Sequence, residues 1–476
     1  MLLWLVFIPL IGAAVAAAIP WNRLRPWVLL PTAAIHLAVT VRNVQHPTPA
    51  AGGWLVLDPP GRLVLLLLSV LFLICSFYSV GYLRYRQDRS NRVFVPCLMM
   101  FLATTTLVSC AHHLGLMWVA MEATTLSTAP LIYFNRTQQS IEATWKYLLV
   151  GSVGIAIALM GSYFLAYASL GKGGESSLLF EQLMQRAPLL DKPWLQAAFV
   201  LLLVGYGTKM GLAPMHTWKP DAYGEAPGVV GALLAGGVTN CAFLSLLRIY
   251  QVCHAAGENE YTGRLLILIG LLSMAVAAIF MIGQRDFKRM LAYSSVEHMG
   301  ILVLGVGVGG TALFGSLLHM INNGMTKGVL FLSAGNIHRA YGNKTIDEVR
   351  GAMRCVPLSG TLFLLGFFAV TGSPPFGPFV SELAILNGAF TEHRFLVGAG
   401  FLFLLLVIFI GMGRTVLTVV QGRPLPGTKR TDYRDGIMTG LPLLVSLAVV
   451  LLLGLHIPAP LKAMLDDAVS FVEVRP

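Results

Sequence analysis

The chain has 476 residues, of which 56% are hydrophobic and only 12% are charged, about half the charged fraction of a usual soluble protein. No polar stretch is long enough for a soluble catalytic domain, so we predict an all-α membrane protein that crosses the bilayer many times. The formal net charge of +11 is explained by basic loops on one side of the membrane, and no nucleic-acid-binding module is visible.

Apolar segments about as long as the hydrocarbon core is thick recur from one end of the chain to the other. They indicate about fourteen transmembrane helices. The seventh and twelfth segments contain internal prolines and are predicted to be broken helices. The predicted spans are residues 1–20, 27–42, 62–82, 93–111, 114–134, 142–169, 194–218, 222–250, 264–283, 288–309, 311–337, 357–390, 395–420 and 437–457.

Lysine and arginine are concentrated in alternate loops between these spans. The loops RYRQDRSNR (84–92) and QRDFKR (284–289) are strongly basic, whereas CHAAGENEYTG (253–263) and TEHR (391–394) carry little net positive charge. Basic loops stay in the cytoplasm, so the pattern places both termini outside. We expect the membrane to be a bacterial or archaeal inner (cell) membrane. The N-terminal stretch lacks a basic segment before its apolar core, and we interpret it as the first span rather than a signal peptide.

The cysteines do not suggest a metal or redox site. Iron–sulfur, zinc and disulfide sites need clustered or paired thiols. We therefore expect no metal and no cofactor in this chain and interpret the cysteines as packing residues. They are scattered and form no CxxC pair: Cys75, Cys97, Cys110, Cys241, Cys253 and Cys355.

An isolated acid and an isolated lysine stand in two otherwise apolar spans. Glu122 is the only charge in the fifth span, and Lys209 lies five residues before Pro214 in the seventh. A charge within the hydrocarbon usually faces a protein or water-filled interior, and a broken helix marks a cavity because its freed backbone groups need partners. Both residues are candidates for ion translocation. The alternatives are a protonated, hydrogen-bonded Glu122 and a Lys209 that extends to the membrane surface.

Further polar residues lie near these two. His216 follows Lys209 by two helical turns, so a straight helix would place both on one face about 10 Å apart, and we take it as a candidate. Lys219 begins the polar segment KPDAYGE and is expected to extend to the membrane surface. Lys146 is close to the cytoplasmic end of the sixth span and is a weaker candidate.

A polar stripe is predicted in the eleventh span. His319, Asn323 and Lys327 recur every four residues, which lines one helix face over about 12 Å. The stripe suits a hydrated proton path, and the alternative is hydrogen bonding between helices. Glu382 follows the second helix break and is a further candidate, because the N-terminus of a half-helix stabilises a carboxylate.

Glu297 and His298 are weaker candidates in the tenth span. Adjacent residues of a helix point in different directions, so at most one of them is expected to face the interior. All these positions indicate charge movement rather than covalent chemistry. Two charges about 4 Å apart interact by roughly 4 kcal/mol at an effective dielectric near 20, so a Glu122–Lys209 pair that forms and breaks would switch the lysine between holding and releasing a proton.

Five stretches carry these residues: WVAMEATTL, YGTKMGLAPMHTWKPDAYGEAP, RMLAYSSVEHMG, NNGMTKGVLFL and TGSPPFGPFVSE. In combination they resemble the antiporter-like subunits of respiratory complex I, Mrp antiporters and membrane-bound hydrogenases, and most of all component F of hydrogenase-4-type formate hydrogenlyase complexes. The resemblance implies fourteen helices that include two inverted five-helix repeats. The predicted division is helices 1–3 (1–92), a first repeat (93–250), a second repeat (264–420) and a last helix with a tail (437–476).

The resemblance also implies translocation of protons, or of sodium ions, coupled to redox chemistry in partner subunits. The partners would be other membrane subunits and peripheral redox subunits with nickel–iron and iron–sulfur centres, so the chain would be one subunit of an oxidoreductase complex. Glu122, Lys209 and Lys327 match key residues of the family, His319 matches a channel histidine and Glu382 matches the terminal acid or lysine.

The chain departs from the family pattern at three positions. Leucine is usual where Lys219 stands, histidine is usual where Tyr223 stands, and Asn240 occupies the place of a central lysine or histidine in the eighth helix. Asn240 is therefore a weaker candidate. Two other functions stay open, an Mrp-type cation/proton antiporter subunit and a structural membrane scaffold without transport.

Overall fold

The computed structural model describes residues 2–46, 53–170, 177–424 and 431–473. Within these ranges the chain is helical, and its β-type pairs are isolated bridges such as that between Leu55 and Ala111. The prediction of an all-α fold is confirmed. Parts of three predicted loops and both chain ends lie outside the described ranges.

The helices are numbered in chain order. Up to residue 255 they are α1 (Leu2–Ala18), α2 (Leu29–Gln45), α3 (Pro59–Tyr85), α4 (Phe94–Cys110), α5 (Leu114–Ile132), α6 (Gln138–Ala168), α7 (Phe180–Gln185), α8 (Lys192–Met210), α9 (Trp218–Glu225), α10 (Gly228–Leu233) and α11 (Thr239–Ala255). The remainder are α12 (Asn259–Met281), α13 (Phe287–Val308), α14 (Thr311–Tyr341), α15 (Ala352–Cys355), α16 (Pro357–Val370), α17 (Gly377–Thr391), α18 (Phe395–Gln421), α19 (Ile437–Leu455) and α20 (Ala459–Val472).

Many of these helices have the length and apolar composition of membrane-spanning helices. Eight helices of the described residues are long and apolar enough to cross one, and three shorter helices, α1, α4 and α16, are also apolar. Helix is present within each predicted span, but α5, α8 and α14, which carry Glu122, Lys209 and Lys327, are not among these eleven. The count of fourteen spans therefore stays a prediction.

The seventh predicted span is broken. Helix α8 ends at Met210, Gly211 takes the left-handed backbone conformation (φ 77°), and helix resumes only at Trp218. A proline ring clashes with the carbonyl group four residues before it, which for Pro214 is the carbonyl of Met210. The helix therefore ends well before the predicted boundary at residue 218.

Two further irregularities lie near candidate residues. The twelfth predicted span is interrupted at Gly372 (φ 62°), and helix α17 begins at Gly377. A π-helical segment, Leu234–Val238, joins α10 to α11, and the side-chain amide of Asn240 donates to the carbonyl of Gly236 at 3.0 Å. Such widened turns occur frequently at functional sites.

Helices α11, α13 and α14 form the centre of the protein. Nearly all their side chains are buried, whereas α6, α12 and α18 expose large apolar side chains on their outer faces, among them Leu149, Ile279 and Leu406. Buried polar groups need hydrogen-bond partners inside the protein. Most of the candidate residues are therefore held by protein contacts, away from lipid.

Glycines bring α12 and α13 into close contact. Gly270 faces Gly300, and Gly263 faces Gly307. A Cβ atom on any of these four residues would lie 2.7 Å from the carbonyl oxygen of the facing glycine, so a side chain there would push the helices apart. Small residues permit this approach of two backbones in membrane proteins.

A buried ion pair joins α3, α4 and α11. Arg248 donates to both carboxylate oxygens of Asp58 at 2.8 and 2.9 Å and to three backbone carbonyls at the end of α4. Burial raises the pKa of Asp58, but Arg248 and His112 outweigh burial, so the pKa lies below its ordinary value. Because both partners are fully bonded, we interpret the pair as structural.

The C-terminal segment contains a helix where the sequence analysis expects a tail. Helix α20 packs on α3, α11 and α14, and its residues Leu465, Ala468 and Val472 are buried. Gln251 donates to the carbonyl of Phe471 at 2.6 Å. The i, i+3, i+7 spacing of the buried residues is the sequence signal for this helix.

Candidate functional site

Glu122 on α5 and Lys209 on α8 lie side by side. Lys209 Nζ is 3.7 Å from Glu122 Oε2 and donates a hydrogen bond to Thr125 Oγ1. Thr125 in turn donates to Glu122 Oε2 at 3.3 Å, and Ser152 on α6 donates to Glu122 Oε1 at 2.7 Å. We call Glu122, Thr125 and Lys209 the first site.

The two charged residues of the first site differ in exposure. The side chain of Lys209 is fully buried, whereas that of Glu122 is 24% exposed. Glu122 stands near the middle of α5, and its partner Ser152 stands near the middle of α6 and is exposed. The first site therefore connects the interior with the surface between α5 and α6.

Helix α6 shapes the space around the lysine. A Cβ atom at Gly151 would lie 2.9 Å from Lys209 Nζ, so glycine leaves the room that the ammonium occupies. The ring centroid of Tyr147, one turn earlier, is 5.6 Å from Lys209 Nζ. An aromatic face attracts a cation, so α6 supports the charged form of the lysine.

Lys219 does not extend to the membrane surface, and that prediction is wrong. Its side chain is fully buried, and its Nζ donates to the carbonyl oxygens of Met210 at 2.6 Å and Ser295 at 3.3 Å. After the break, α9 packs against α6 and α13 instead of continuing α8 outward. Lys219 therefore joins the C-terminal end of α8 to the middle of α13.

Lys327 lies where α14 meets α13. Its Nζ donates to Ser294 Oγ at 2.6 Å, and Glu297 lies about one helical turn after Ser294 on α13. All three residues are buried. We call Ser294, Glu297 and Lys327 the second site. Like the first site, it combines a lysine with a hydroxyl and an acid that stand three residues apart on a neighbouring helix.

Two histidines and a serine form a chain of hydrogen bonds between α13, α14 and α17. His298 Nδ1 is 2.9 Å from His319 Nε2, and His319 Nδ1 is 2.9 Å from Ser381 Oγ. Glu382 follows the serine, and a Cβ atom at Gly372 would overlap its carboxylate. The structure thus brings His298, His319 and Glu382 together at the second helix break.

Two expectations about these residues are wrong. Glu297 and His298 both face the interior, because helices surround α13 on all sides and adjacent residues meet different neighbours. Glu382 lies in the second turn of α17, not in the first. The dipole effect is confined to the first turn, so packing against Gly372 positions this carboxylate rather than the helix end.

Several buried polar atoms around α14 lack a hydrogen-bond partner among the described residues. Buried polar groups are normally paired, and ordered water supplies the partner where the protein does not. These atoms therefore indicate a hydrated interior next to the second site. They are His298 Nε2, Asn240 Oδ1, Asn322 Oδ1, both amide atoms of Asn323, and Glu382 Oε1.

Three predicted residues belong to neither site. Lys146 is 47% exposed and pairs with two surface acids at 2.6 and 3.0 Å. His216 follows the break, so it does not share a helix face with Lys209, and it packs beside aromatic rings of α12 and α13. Asn240 bonds within its own helix at the π-helical segment.

His298, His319 and Glu382 also have the composition of a metal site, with one ligand atom of each within 4.8 Å of the others. Both ring nitrogens of His319 are already engaged, with His298 and with Ser381. Hydrogen bonding therefore accounts for the arrangement, since an ion would have to break these bonds. The expected absence of metal and cofactor stays a prediction.

The hydroxyl residues in and beside the two sites were not predicted from the sequence. A serine or threonine in an apolar helix usually bonds to its own backbone, so its presence is a weak signal. Thr125 and Ser294 each lie three residues from an acid, Glu122 and Glu297, and this spacing is the only sequence signal that marks them. The missed residues are Thr125, Ser152, Ser294 and Ser381.

Comparison with known proteins places the chain in a family. Residues 111–411 match the family described as NADH:quinone oxidoreductase/Mrp antiporter, TM. The hydrogenase-4 component F homolog of Methylacidiphilum infernorum (isolate V4) is 33% identical over 423 residues, 84% of this chain and 87% of the relative. The NADH-quinone oxidoreductase subunit N of Desulforudis audaxviator (strain MP104C) is 30% identical over 411 residues, 84% of this chain and 81% of the relative.

A solved structure supports the same fold. A chain of the membrane-bound sulfane sulfur reductase, an archaeal respiratory membrane complex, matches with a TM-score of 0.88 at 22% identity and covers 99% of this chain and 97% of that chain. The family match spans well over half of the sequence and contains both sites. The resemblance predicted from the motifs is confirmed, and the chain belongs to the NADH:quinone oxidoreductase/Mrp antiporter family of transmembrane subunits.

Proposed function

We propose that the chain is the ion-translocating membrane subunit of a redox-driven complex and that its ion is the proton. The observation that carries this proposal is a series of mostly buried titratable groups through the centre: the first site, Lys219, the second site, and the His298–His319–Ser381 chain that ends beside Glu382. Ionisable residues within a membrane protein usually mark ion or proton pathways. Names of the relatives, a hydrogenase component and an NADH-quinone oxidoreductase subunit, support the redox coupling.

The mechanism is a transfer of protons between neighbouring groups. At 3.7 Å, the carboxylate of Glu122 and the ammonium of Lys209 attract each other by about 4 kcal/mol at an effective dielectric near 20. When the pair separates, the protonated lysine loses that stabilisation and releases its proton to the next group. The hydroxyl of Thr125 bonds to both partners and keeps them aligned.

The exposure of the first site also supports the proposal that a partner subunit is present. Glu122 and Ser152 are partly exposed between the middle of α5 and the middle of α6. A carboxylate against lipid tails is costly, so another membrane subunit would cover this face. The nickel–iron and iron–sulfur centres would belong to peripheral partner subunits, and this chain would contribute ion translocation rather than the redox reaction.

The test is to purify the tagged chain with its partners, identify them by mass spectrometry, and measure ion uptake by vesicles that contain the complex. Hydrogenase-like or quinone-reductase-like subunits and uptake of protons without sodium support the proposal. The second candidate function is an Mrp-type cation/proton antiporter, which the family description includes. Mrp-type partners alone, with uptake that requires sodium, would establish it. A complex that moves neither ion would indicate a scaffold.

We further propose fourteen transmembrane helices, with two inverted five-helix repeats at residues 93–250 and 264–420. Helices 1–3 (1–92) would precede them, and the last helix and C-terminal segment (437–476) would follow. The helix breaks after α8 and after α16 support this arrangement, because each falls in the fourth predicted span of its repeat. An odd number of spans in each unit makes the second copy inverted.

Both termini are proposed to lie outside the cell. In that orientation Ser90, in a basic loop, is cytoplasmic, so we expect Ser90→Cys to react with a membrane-impermeant thiol reagent in inverted vesicles and not in intact cells. Thr428, in another basic loop, lies outside the described residues and serves as a second labelling position. Reaction of either cysteine in intact cells would contradict the orientation.

We expect Gly151→Ala to reduce proton uptake several-fold, because the added methyl group would displace Lys209 Nζ, which lies 2.9 Å from its position. The measurement is uptake by vesicles that contain the assembled complex. Gly400→Ala on α18 is the matched control, since its added Cβ meets Leu271 at an ordinary 3.8 Å and should leave uptake unchanged. Equal uptake in both variants would show that the position of Lys209 is not critical.

A further inference from the structure

Lys219 occupies the space between the first site and the second site. Its Nζ donates to the carbonyl of Met210, the residue after Lys209, and to the carbonyl of Ser295, the residue after Ser294. One amino group therefore contacts the backbone next to the lysine of the first site and next to the hydroxyl that binds the lysine of the second site.

The surroundings of Lys219 do not neutralise a charge on it. The side chain is fully buried and forms no ion pair with an acid of the described residues. The titratable groups near enough to interact with its charge are all basic: Lys327, His298 and His216. The ring of Tyr223, with its centroid 5.6 Å from Nζ, is a weaker source of stabilisation than a carboxylate. A buried charge is normally paired, so this lysine is suited to hold a proton transiently rather than permanently.

Asn240 cannot carry a proton between the first site and the second site. A side-chain amide neither gains nor loses a proton near neutral pH, and Asn240 Nδ2 donates to the carbonyl of Gly236. We propose that Lys219 relays the proton between the first site and the second site. This inference rests on the proposed function and adds a residue to its pathway.

The relay consists of two proton transfers. In the first, an N–H bond of the Lys209 ammonium breaks and an N–H bond forms on the neutral amine of Lys219. In the second, the Lys219 ammonium gives up a proton and the neutral amine of Lys327 receives it. Hydroxyl groups and water carry the proton across the intervening space, no electron moves, and the same steps run in reverse for the opposite direction.

The test compares Lys219→Leu with Lys219→Arg in the assembled complex. Arginine keeps the positive charge and can still donate to both carbonyls, but it does not release its proton. We expect both variants to assemble and to lose most of the proton uptake of this chain at fixed electron flux. We expect Asn240→Lys in the Lys219→Leu background to restore part of that uptake, because it returns a titratable amine to the interior.

Lys288 provides the matched control. It is also fully buried, and its Nζ also donates to two backbone carbonyls, those of Gly224 at 2.9 Å and Ala226 at 2.6 Å. Lys288→Arg should keep normal uptake, since bonding to carbonyls is all that it needs to preserve. Normal uptake in Lys219→Arg, or failure of both Lys219 variants to assemble, would overturn the relay and leave a structural lysine.

Lys209→Ala separates the relay from the proposed function. If Lys209→Ala loses uptake while both Lys219 variants keep it, the relay is wrong and the proposed function stands. If Lys209→Ala keeps normal uptake as well, the proposed function is wrong, and the relay is wrong with it.

Discussion

Lys209→Ala is expected to reduce proton uptake through this chain by about a hundredfold, the lower end of what a positioned proton-transfer group contributes, while the complex still assembles. The ammonium is the group that takes up and releases the proton in the first site. Its removal leaves Glu122, which is 24% exposed, so no fully buried charge loses its partner. The measurement is uptake by inverted vesicles at fixed electron flux, with partner recovery on purification as the measure of assembly.

Lys146→Ala is the control for that experiment. Lys146 also pairs with acids, but it is 47% exposed and its partners Glu142 and Asp221 lie at the surface. Exposed ion pairs contribute little, so uptake should stay near the wild-type value. An equal loss in both variants would show that the interior position of Lys209 has no special part. Lys219 is unsuitable as a surface control, because the structure places it in the interior.

Glu122→Gln is expected to resemble Lys209→Ala, and the double variant should be little worse than either single variant. Each residue acts through the other, because the carboxylate stabilises the ammonium by a few kcal/mol. Glutamine keeps the size and most of the hydrogen bonding but removes the charge. Uptake is measured for the wild type, both single variants and the double variant, so that the coupling between the two positions is obtained directly.

Glu142→Gln is the control for the acid, since Glu142 pairs with Lys146 at the surface. Additive losses in the double variant would indicate two independent groups. Normal uptake in Glu122→Gln would indicate a permanently protonated carboxyl group, whose neutral form an amide imitates well.

The predicted spans contain helix because a backbone inside a bilayer has to satisfy its own hydrogen bonds. Apolar segments long enough to cross the bilayer are visible in the sequence without knowledge of their neighbours. Glu122 and Lys209 were predictable for a related reason. A single charge in an apolar span has to face a partner, and each of these spans offers one charge. Their meeting at 3.7 Å agrees with that reasoning.

The depth of Lys219 in the membrane could not be predicted from the sequence. Its closeness to the polar segment KPDAYGE suggested the membrane edge, but a break in a helix changes direction, and sequence distance from a polar segment then says little about depth. The prediction for Glu297 and His298 was wrong for a different reason. The rule that adjacent helical residues diverge holds, yet α13 has protein on every side, and only tertiary packing reveals that.

The glycine contact between α12 and α13 has a consequence for motion. Gly270 faces Gly300 and Gly263 faces Gly307, so the two backbones are in direct contact there. At these points there is no side chain between the helices whose change of rotamer would let one helix slide past the other. The two helices should therefore move as one rigid body. Hinge motions are absorbed by a few residues at element ends, which leaves residues 211–217 and 371–376, between the halves of the broken spans, as the joints. Any cycle of opening and closing would thus bend the chain beside Lys209 and beside Glu382, while the α12–α13 pair stays a fixed wall.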